Sequence, residues 1–280
     1  MQIARTRDDL DRALAALRGE GRSLGFVPTM GALHAGHVAL LDRARAACDA
    51  TVASIFVNPL QFGPNEDFTR YPRDEAGDLA TLAAAGCDVV WLPDVATMYP
   101  PGSATAIEVA GPAEGWEGAV RPGHFRGVAT VCARLFGQVR PTQAYFGEKD
   151  WQQVQVVRRM VADLALPLEI VAVPTVREAD GLALSSRNRY LAPAERQGAP
   201  RLYAAMRRAA AAIVAGTGVA DALGQAGAML EQAGLRPDYV ALVDGPSMAA
   251  IDAPRPGARL IAAARLGAVR LLDNIPLDPG

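Results

Sequence analysis

One stretch, residues 24–41, constrains the fold of this chain more than any other. An apolar run from Leu24 to Val27 leads into a turn rich in proline and glycine, and an Ala/Leu-rich helix follows the turn. His34 and His37 stand where the turn enters the helix, in the spacing His-x-Gly-His. The first amide groups of a helix lack partners within it and mark the positive end of its dipole, so this arrangement favours a bound anion. The stretch therefore predicts a nucleotide-phosphate site.

Two other interpretations of the histidines exist. They can simply cap the helix, and this interpretation stays open at this point. A zinc site is less favoured, because no cysteine, aspartate or third histidine stands nearby at ligand spacing. Gly31 and Gly36 support the phosphate interpretation, because glycine lets the backbone approach a ligand closely, and imidazoles donate hydrogen bonds whether charged or neutral.

Apolar runs alternate with helical patterns over residues 1–176. We predict strands at 24–27, 51–57, 88–92, 144–146 and 168–173, a strand-like piece at 105–109, and helices at 8–18, 37–48, 74–85, 128–139 and 150–165. Asp150 is expected to cap the last of these helices. This alternation indicates an α/β domain with a doubly wound parallel sheet.

The pattern changes after Pro174. Two Ala-rich helices are predicted at 193–215 and 219–233, and three short strands at 239–243, 260–264 and 269–272. We therefore expect residues 177–280 to form a smaller C-terminal α+β domain.

The composition excludes several classes of protein. No apolar run of about 18 residues occurs, so no transmembrane helix is expected, and the charged, amphipathic N-terminus lacks the apolar core of a secretory signal. The net charge of −2, with acids and bases interspersed, argues against broad nucleic-acid binding. Cys48, Cys87 and Cys132 lie far apart in apolar contexts, as buried thiols in a reducing compartment do. We expect a soluble, cytoplasmic protein.

Further polar residues follow predicted strands. After the strand at 144–146, Gly147 permits close approach of a ligand and Lys149 offers a point charge for phosphate, while Asp150 is either a ribose partner or only a helix cap. Gln153 lies one helical turn further on.

Two more stretches follow the same pattern. Ser185 and Ser186, with Arg187 and Arg189, supply hydroxyl and guanidinium donors for a polyphosphate at the domain junction, where a lid can close; an Arg-rich helix cap is the alternative. Asn58 and Gln61 are neutral amides after the strand at 51–57, and the loop 121–126, which contains His124, is predicted to be a mobile flap.

Taken together, the motifs PTMGALHAGH, VNPLQF, RPGHFRGV, FGEKDWQQ and LSSRNRYL resemble, in order and spacing, those of pantothenate synthetases (pantoate–β-alanine ligases). That family belongs to the nucleotidyltransferase superfamily with the His-x-Gly-His signature. The resemblance implies an ATP-dependent condensation of (R)-pantoate with β-alanine through a pantoyl adenylate, releasing AMP and pyrophosphate. It also implies a Rossmann-type N-terminal domain, a smaller C-terminal lid domain, a homodimer, and Mg²⁺ with the ATP but no metal site on the protein. From the composition, no nucleic-acid or membrane partner is expected.

The resemblance implies roles for individual residues as well. The ATP-binding residues would be Met30, Gly31, Ala32, Leu33, His34, Ala35, Gly36, His37, Gly147, Glu148, Lys149, Asp150, Val176, Leu184, Ser185, Ser186 and Arg187. Among them His37, His34, Lys149 and Arg187 would act in catalysis, with His37 as the proton donor. Gln61 and Gln153 would hold pantoate, and Gln61 and Asn58 would hold β-alanine. Leu184 replaces the family's usual methionine, a change that roughly conserves volume.

Two other functions stay open at this point. A cytidylyl- or adenylyltransferase would release a nucleotide conjugate as its product, but the glutamine pair and the 121–126 loop speak against it. A nucleotide-binding regulatory module would bind ATP without turnover, but the intact set of His, Lys, Ser and Arg donors speaks against that.

Overall fold

A computed structural model describes residues 1–18, 21–64 and 66–277. Six parallel strands form the first sheet, in the order β1-β4-β3-β2-β5-β6. They are β1 (Gln2–Ala4), β2 (Leu24–Thr29), β3 (Ala50–Ile55), β4 (Val89–Trp91), β5 (Gln143–Gly147) and β6 (Glu169–Val173). The predicted doubly wound sheet is confirmed. Strand β1, which the apolar pattern did not predict, adds an edge.

The order of the strands reverses between β2 and β5. These two strands are neighbours, with Gly25 opposite Gln143, and their chains continue toward opposite edges of the sheet. Open α/β sheets bind ligands at such a switch point, outside the carboxyl ends of the strands. The histidine motif leaves the sheet after Thr29, and the Lys149 motif leaves it after Gly147. The topology therefore brings two predicted motifs to one place.

Helices cover both faces of this sheet. They are α1 (Arg7–Leu17), α2 (Ala35–Ala47), α3 (Glu75–Ala84), α4 (Val95–Met98), α5 (Trp116–Val120), α6 (His124–Val139) and α7 (Trp151–Asp163). Successive strand residues point to opposite faces: Phe26 packs with α1, α6 and α7, and Val27 packs with α2 and α3. In the described part of the chain, no helix has the length and apolar character needed to cross a membrane.

The C-terminal residues build a second core, whose first buried member is Leu182. Helices α9 (Arg201–Val214) and α10 (Val219–Gln232) pack on one face of an antiparallel sheet, and the short helix α8 (Pro193–Gly198) precedes them. The strands of this sheet are β7 (Arg236–Asp244), β8 (Ala258–Leu266) and β9 (Val269–Pro276), in that order. The predicted smaller α+β part is confirmed.

Three local predictions are wrong. The single helix predicted at 193–215 is two helices, because Pro200 has no amide hydrogen and begins a new helix as its N-cap. The piece at 105–109 pairs with no described strand; instead, the Ile107 amide donates to Thr130 Oγ1 at 2.9 Å. The Asp150 side chain does not cap α7, since a 3₁₀ turn, Glu148–Asp150, runs directly into that helix.

Candidate active site

The two histidines of the first motif lie side by side at the start of α2, with ring centroids 4.2 Å apart. Nδ1 of His34 accepts the Gly36 amide hydrogen at 3.1 Å, and Nδ1 of His37 accepts that of His34 at 3.3 Å. A Cβ on residue 36 would lie 2.8 Å from Cε1 of His34, so the ring requires glycine there. Because both Nδ1 atoms accept, each neutral ring carries its proton on Nε2. The capping interpretation is therefore correct, and it leaves an Nε2–H donor on each ring.

Both rings are neutral near pH 7. Burial, with Lys149 and Arg189 nearby, lowers the pKa of His34 to about 4. Burial, with His34 beside it, lowers the pKa of His37 to about 3. Each ring thus offers an incoming anion a hydrogen bond rather than a full positive charge.

Acidification is expected to destabilise the protein. Unfolded histidines bind a proton near pH 6.5, whereas His34 and His37 in the folded protein bind one only near pH 4 and pH 3. The unfolded chain therefore binds more protons in this window, and the free energy of unfolding falls as the pH drops from about 6.5 toward 4. Melting curves followed by circular dichroism should shift little above pH 7 and markedly below pH 6. The His37→Asn protein should show a weaker shift; an unchanged pH dependence would contradict this account.

The turn before the histidines is organised by a residue that sequence reasoning missed. Asp78, buried on α3, accepts the amide hydrogens of Ala32 at 2.9 Å and Leu33 at 2.7 Å. Gly31 has a φ of +82°, and a Cβ there would lie 2.7 Å from the Asp78 carboxylate. Glycine at position 31 therefore allows the backbone conformation of the turn and leaves room for the Asp78 carboxylate. The amides of Ala32 and Leu33 have that carboxylate as their acceptor.

Replacing Asp78 with asparagine should loosen this turn. An amide can accept one of the two backbone hydrogens but presents its NH₂ group to the other, which costs about 1–3 kcal/mol for a buried donor left unpaired. Urea denaturation should show that loss, and the KM for ATP should rise as the histidines lose their support. Asp74→Asn on the same helix is the matched control. Its side chain caps the Gly77 amide at 3.0 Å, and asparagine caps equally well. Equal effects of the two changes would refute the role of Asp78.

Lys149 enters the site from the end of β5. Nδ2 of Asn274 on β9 donates to the carbonyls of Glu148 and Lys149, at 2.7 and 2.9 Å, which fixes this turn against the second sheet. The lysine ammonium lies 3.6 Å from the Asp150 carboxylate, which remains 46% exposed. With no capping bond to make, the Asp150 carboxylate is available to a ligand. The Glu148 carboxylate pairs with Arg259 at 2.6 Å instead.

The double-serine motif forms the opposite wall. The Leu184 amide donates to the Val176 carbonyl at 3.0 Å, so the two predicted segments form one antiparallel edge. Ser185 Oγ accepts the Arg187 amide hydrogen at 3.3 Å and begins a 3₁₀ turn, Ser186–Tyr190. These bonds hold the two serines of the motif, Ser185 and Ser186, and their backbone at the cleft.

Arg187 is paired before any anion reaches it. Its guanidinium donates to both carboxylate oxygens of Asp67, at 3.0 and 2.9 Å, and the Ser186 hydroxyl lies 3.2 Å from the Tyr71 hydroxyl. A phosphate must therefore displace Asp67 or share the guanidinium with it.

The amide pair occupies the floor of the cleft. Asn58 is 0% exposed: its Nδ2 donates to Gly127 O and Gln61 Oε1, both at 3.1 Å, and its Oδ1 accepts from Tyr99 and Leu60, at 2.8 and 3.2 Å. These bonds to described residues use its full hydrogen-bonding capacity, so Asn58 holds Gln61 in place.

Most predicted residues converge on a single cleft of about 260 Å³. It is lined by Met30, His34, Gly36, His37, Asn58, Gln61, Gly147, Lys149, Asp150, Gln153, Val176, Leu184, Ser185, Ser186 and Arg187. Six predicted residues do not line it: Gly31, Ala32, Leu33, Ala35, Glu148 and Arg189.

Sequence reasoning also missed the apolar wall of the cleft. That wall consists of Phe56, Val128, Val131, Cys132, Leu135 and Phe146. Its α6 members recur at helical spacing, the same signal that any core-facing helix gives. The predicted flap at 121–126 is wrong: His124 begins α6 and is only 8% exposed.

Comparisons with known proteins agree with this architecture. A model of the family described as pantoate-beta-alanine ligase matches residues 2–276. A pantothenate synthetase of Acidiphilium cryptum is 60% identical over 276 residues, covering 98% of this chain and 99% of that protein. The crystal structure of a Thermus thermophilus pantothenate synthetase gives a TM-score of 0.93 at 52% identity, over 99% of both chains. A Francisella tularensis ligase, complexed with beta-gamma ATP and beta-alanine, gives 0.83 at 32% identity over 100% of both chains.

Proposed function

The chain belongs to the pantoate–β-alanine ligase family, and we propose that the cleft at the β2/β5 switch point is its active site. The enzyme condenses (R)-pantoate with β-alanine to pantothenate, a coenzyme A precursor, at the expense of ATP. A pantoyl adenylate is the intermediate, and AMP and pyrophosphate are released. The observation that carries the assignment of the site is the convergence of Lys149, two imidazole Nε2–H donors and a glutamine pair on one cleft.

The phosphate end of the site is assigned to the histidines and Lys149. When a pantoate carboxylate oxygen attacks the α-phosphorus, the bond to pyrophosphate breaks and negative charge grows on the departing oxygens. His34 and His37 donate from the start of α2 and Lys149 from the end of β5, so the charge develops between fixed donors. Arg187 adds a guanidinium once its pairing with Asp67 is exchanged.

The nucleoside end is assigned to Asp150 and the antiparallel edge. The half-exposed carboxylate of Asp150 accepts from the ribose hydroxyls, and the backbone of Val176 and Leu184 lies along the base. Because the contact is through backbone, leucine in place of methionine at 184 leaves it intact.

The pantoate end is assigned to the two glutamines and the apolar wall. Gln61 and Gln153 bind the hydroxyl groups, and the α6 side chains cover the two methyl groups. Neutral amides orient the acid without neutralising its carboxylate, which keeps it nucleophilic and turns a bimolecular attack into a positioned one. The β-alanine amine, held near Gln61, then attacks the acyl carbon and AMP leaves with the former carboxylate oxygen. Asn58 contributes by holding Gln61.

Magnesium fits this site as a companion of the ATP phosphates. Among the described residues no three His, Cys, Asp or Glu side chains are grouped to hold a metal ion. The ion would be held by phosphate oxygens and water, and would neutralise part of their charge.

We further propose that residues 1–176 bind ATP and pantoate and that 177–280 form a lid. Arg270 of β9 lines the cleft and donates to both carboxylate oxygens of the buried Glu117 on α5, at 2.7 and 2.6 Å, which supports contact of the two parts across the site. A homodimer in the cytoplasm is the proposed form of the enzyme, on the strength of the family.

Product analysis tests the function. With ATP, Mg²⁺ and both acids, AMP and pyrophosphate should form in step with the amide, and pantoate alone should support exchange of pyrophosphate into ATP. ADP and phosphate as products would overturn the assignment of the phosphate end.

A further inference from the structure

The third histidine of the chain has no part in the chemistry above, yet it is buried against the cleft. His124 begins α6, and its two ring nitrogens have different partners. Nδ1 lies 2.9 Å from the carbonyl oxygen of Gln61, and Nε2 lies 3.0 Å from Nη1 of Arg121. The Nδ1 contact joins α6 to the segment that presents Gln61. The Nε2 contact joins α6 to the turn before it, whose Arg121 also donates from Nη2 to the Gln61 carbonyl, at 3.5 Å.

The partners decide the tautomer of this ring. An arginine side chain has only donors and stays protonated, so Nε2 of His124 must accept from Arg121. The ring proton is then on Nδ1 and is donated to the Gln61 carbonyl. Burial, with Arg121 adjacent, lowers the pKa of His124 to about 4, so the ring is neutral at pH 7. His34 and His37 have the opposite tautomer.

The 3₁₀ turn Pro59–Gln61, here called the Gln61 turn, is held by other contacts as well. Nδ2 of Asn58 donates both to the Gln61 side chain and to the Gly127 carbonyl, and the backbone of the turn packs directly on α6 at Gly127. Arg121 itself is held by two bonds to Glu66, both 2.7 Å. The bond from His124 is thus one of a few contacts that set the height of Gln61 over the cleft.

We propose that His124 is a positioning residue for substrate selection: its Nδ1–H fixes the Gln61 carbonyl and thereby aims the Gln61 amide at pantoate. This inference rests on the proposed function of Gln61. Arg121 selects the tautomer that makes the bond possible, and Glu66 anchors Arg121.

Two isosteric variants separate the two ring nitrogens. His124→Asn places an amide NH₂ where Nδ1 was and keeps the donor to Gln61; His124→Gln places its amide at the Nε2 position and keeps only the partner of Arg121. The KM for pantoate should rise about tenfold in H124Q, as expected for one lost hydrogen bond, and stay within about threefold in H124N. The KM for ATP should stay within about twofold in both. Equal pantoate KM values in the two variants would overturn the proposal.

If the two His124 variants have equal pantoate KM values, the Gln61→Ala protein shows whether the role of His124 or the proposed function of Gln61 is wrong. A normal pantoate KM in Q61A would remove Gln61 from the substrate site. A raised pantoate KM in Q61A with no difference between the His124 variants would leave the site standing and overturn only the role of His124.

Imidazole ¹⁵N spectra of the unmodified protein give a second readout that needs no variant to fold. The chain has three histidines, so three ring spin systems are expected at pH 7. Two should show the Nε2–H tautomer and one the Nδ1–H tautomer. A charged His124 ring, or three rings with the same tautomer, would overturn the proposal.

Discussion

Replacing Lys149 with alanine is expected to slow adenylate formation by about 10²–10³-fold, the usual cost of one preorganised donor to the charge of a transition state. Its ammonium has a single described ionic partner, Asp150 at 3.6 Å. A pair of this kind contributes at most about 1 kcal/mol, so the melting temperature should fall by about 3 °C or less. Pyrophosphate exchange and a melting curve measure the two effects. Comparable losses of rate and stability would contradict the catalytic role of Lys149.

The sequence offers an independent check on this residue, because Lys149 is its only lysine. An amine-directed acylating reagent can therefore modify only the Lys149 side chain and the N-terminal amine. Peptide mass spectrometry distinguishes these two sites. Activity should decline in step with labelling at Lys149, and ATP should protect both. Activity retained at full labelling would count against the assignment.

The Gly127→Ala protein is expected to show the second large effect. A Cβ at residue 127 would overlap the Leu60 carbonyl and lie 2.6 Å from the Gln61 amide nitrogen, and backbone cannot rotate away as a side chain can. The Gln61 turn must shift, which costs about 1–3 kcal/mol of stability. A displacement on the order of 1 Å also lowers kcat/KM for pantoate by about 10²-fold. Steady-state kinetics and urea denaturation measure the two effects.

Gly137→Ala is the control for that change, since it lies on the same helix and no described atom approaches its Cβ position within 4 Å. Alanine there should stabilise the helix by roughly 0.5–1 kcal/mol and leave the kinetics unchanged. If both substitutions left pantoate kinetics intact, the packing of α6 would not position Gln61.

Much of the fold follows from local signals. The alternation of apolar runs with helical patterns identified the long elements, because their periods are written into neighbouring residues. Strand β1 was not predicted, because its three residues, Gln2–Ala4, are too few to show a periodic pattern of apolar residues. The break at Pro200 could have been predicted from the sequence, because proline has no amide hydrogen to donate within a helix.

The residues of the site likewise divide into those that local sequence motifs predict and those that they do not. The histidines, Lys149 and the glutamines were predictable because they follow strand ends in recognisable motifs. Asp78 was not, because it meets the turn at Ala32 from 46 positions away. The apolar wall was not either, since Val128 and Cys132 give the same pattern whether a helix faces a core or a ligand.

Oxygen transfer tests the central claim, that the pantoate carboxylate attacks the α-phosphate in this cleft. Pantoate labelled with ¹⁸O in its carboxylate would be turned over with ATP, Mg²⁺ and β-alanine, and the AMP analysed by mass spectrometry. One heavy oxygen should appear in AMP and none in pyrophosphate, because the bond that breaks in the second step leaves that oxygen on phosphorus. ADP in place of AMP, with the heavy oxygen in inorganic phosphate, would show attack on the γ-phosphate and contradict the account.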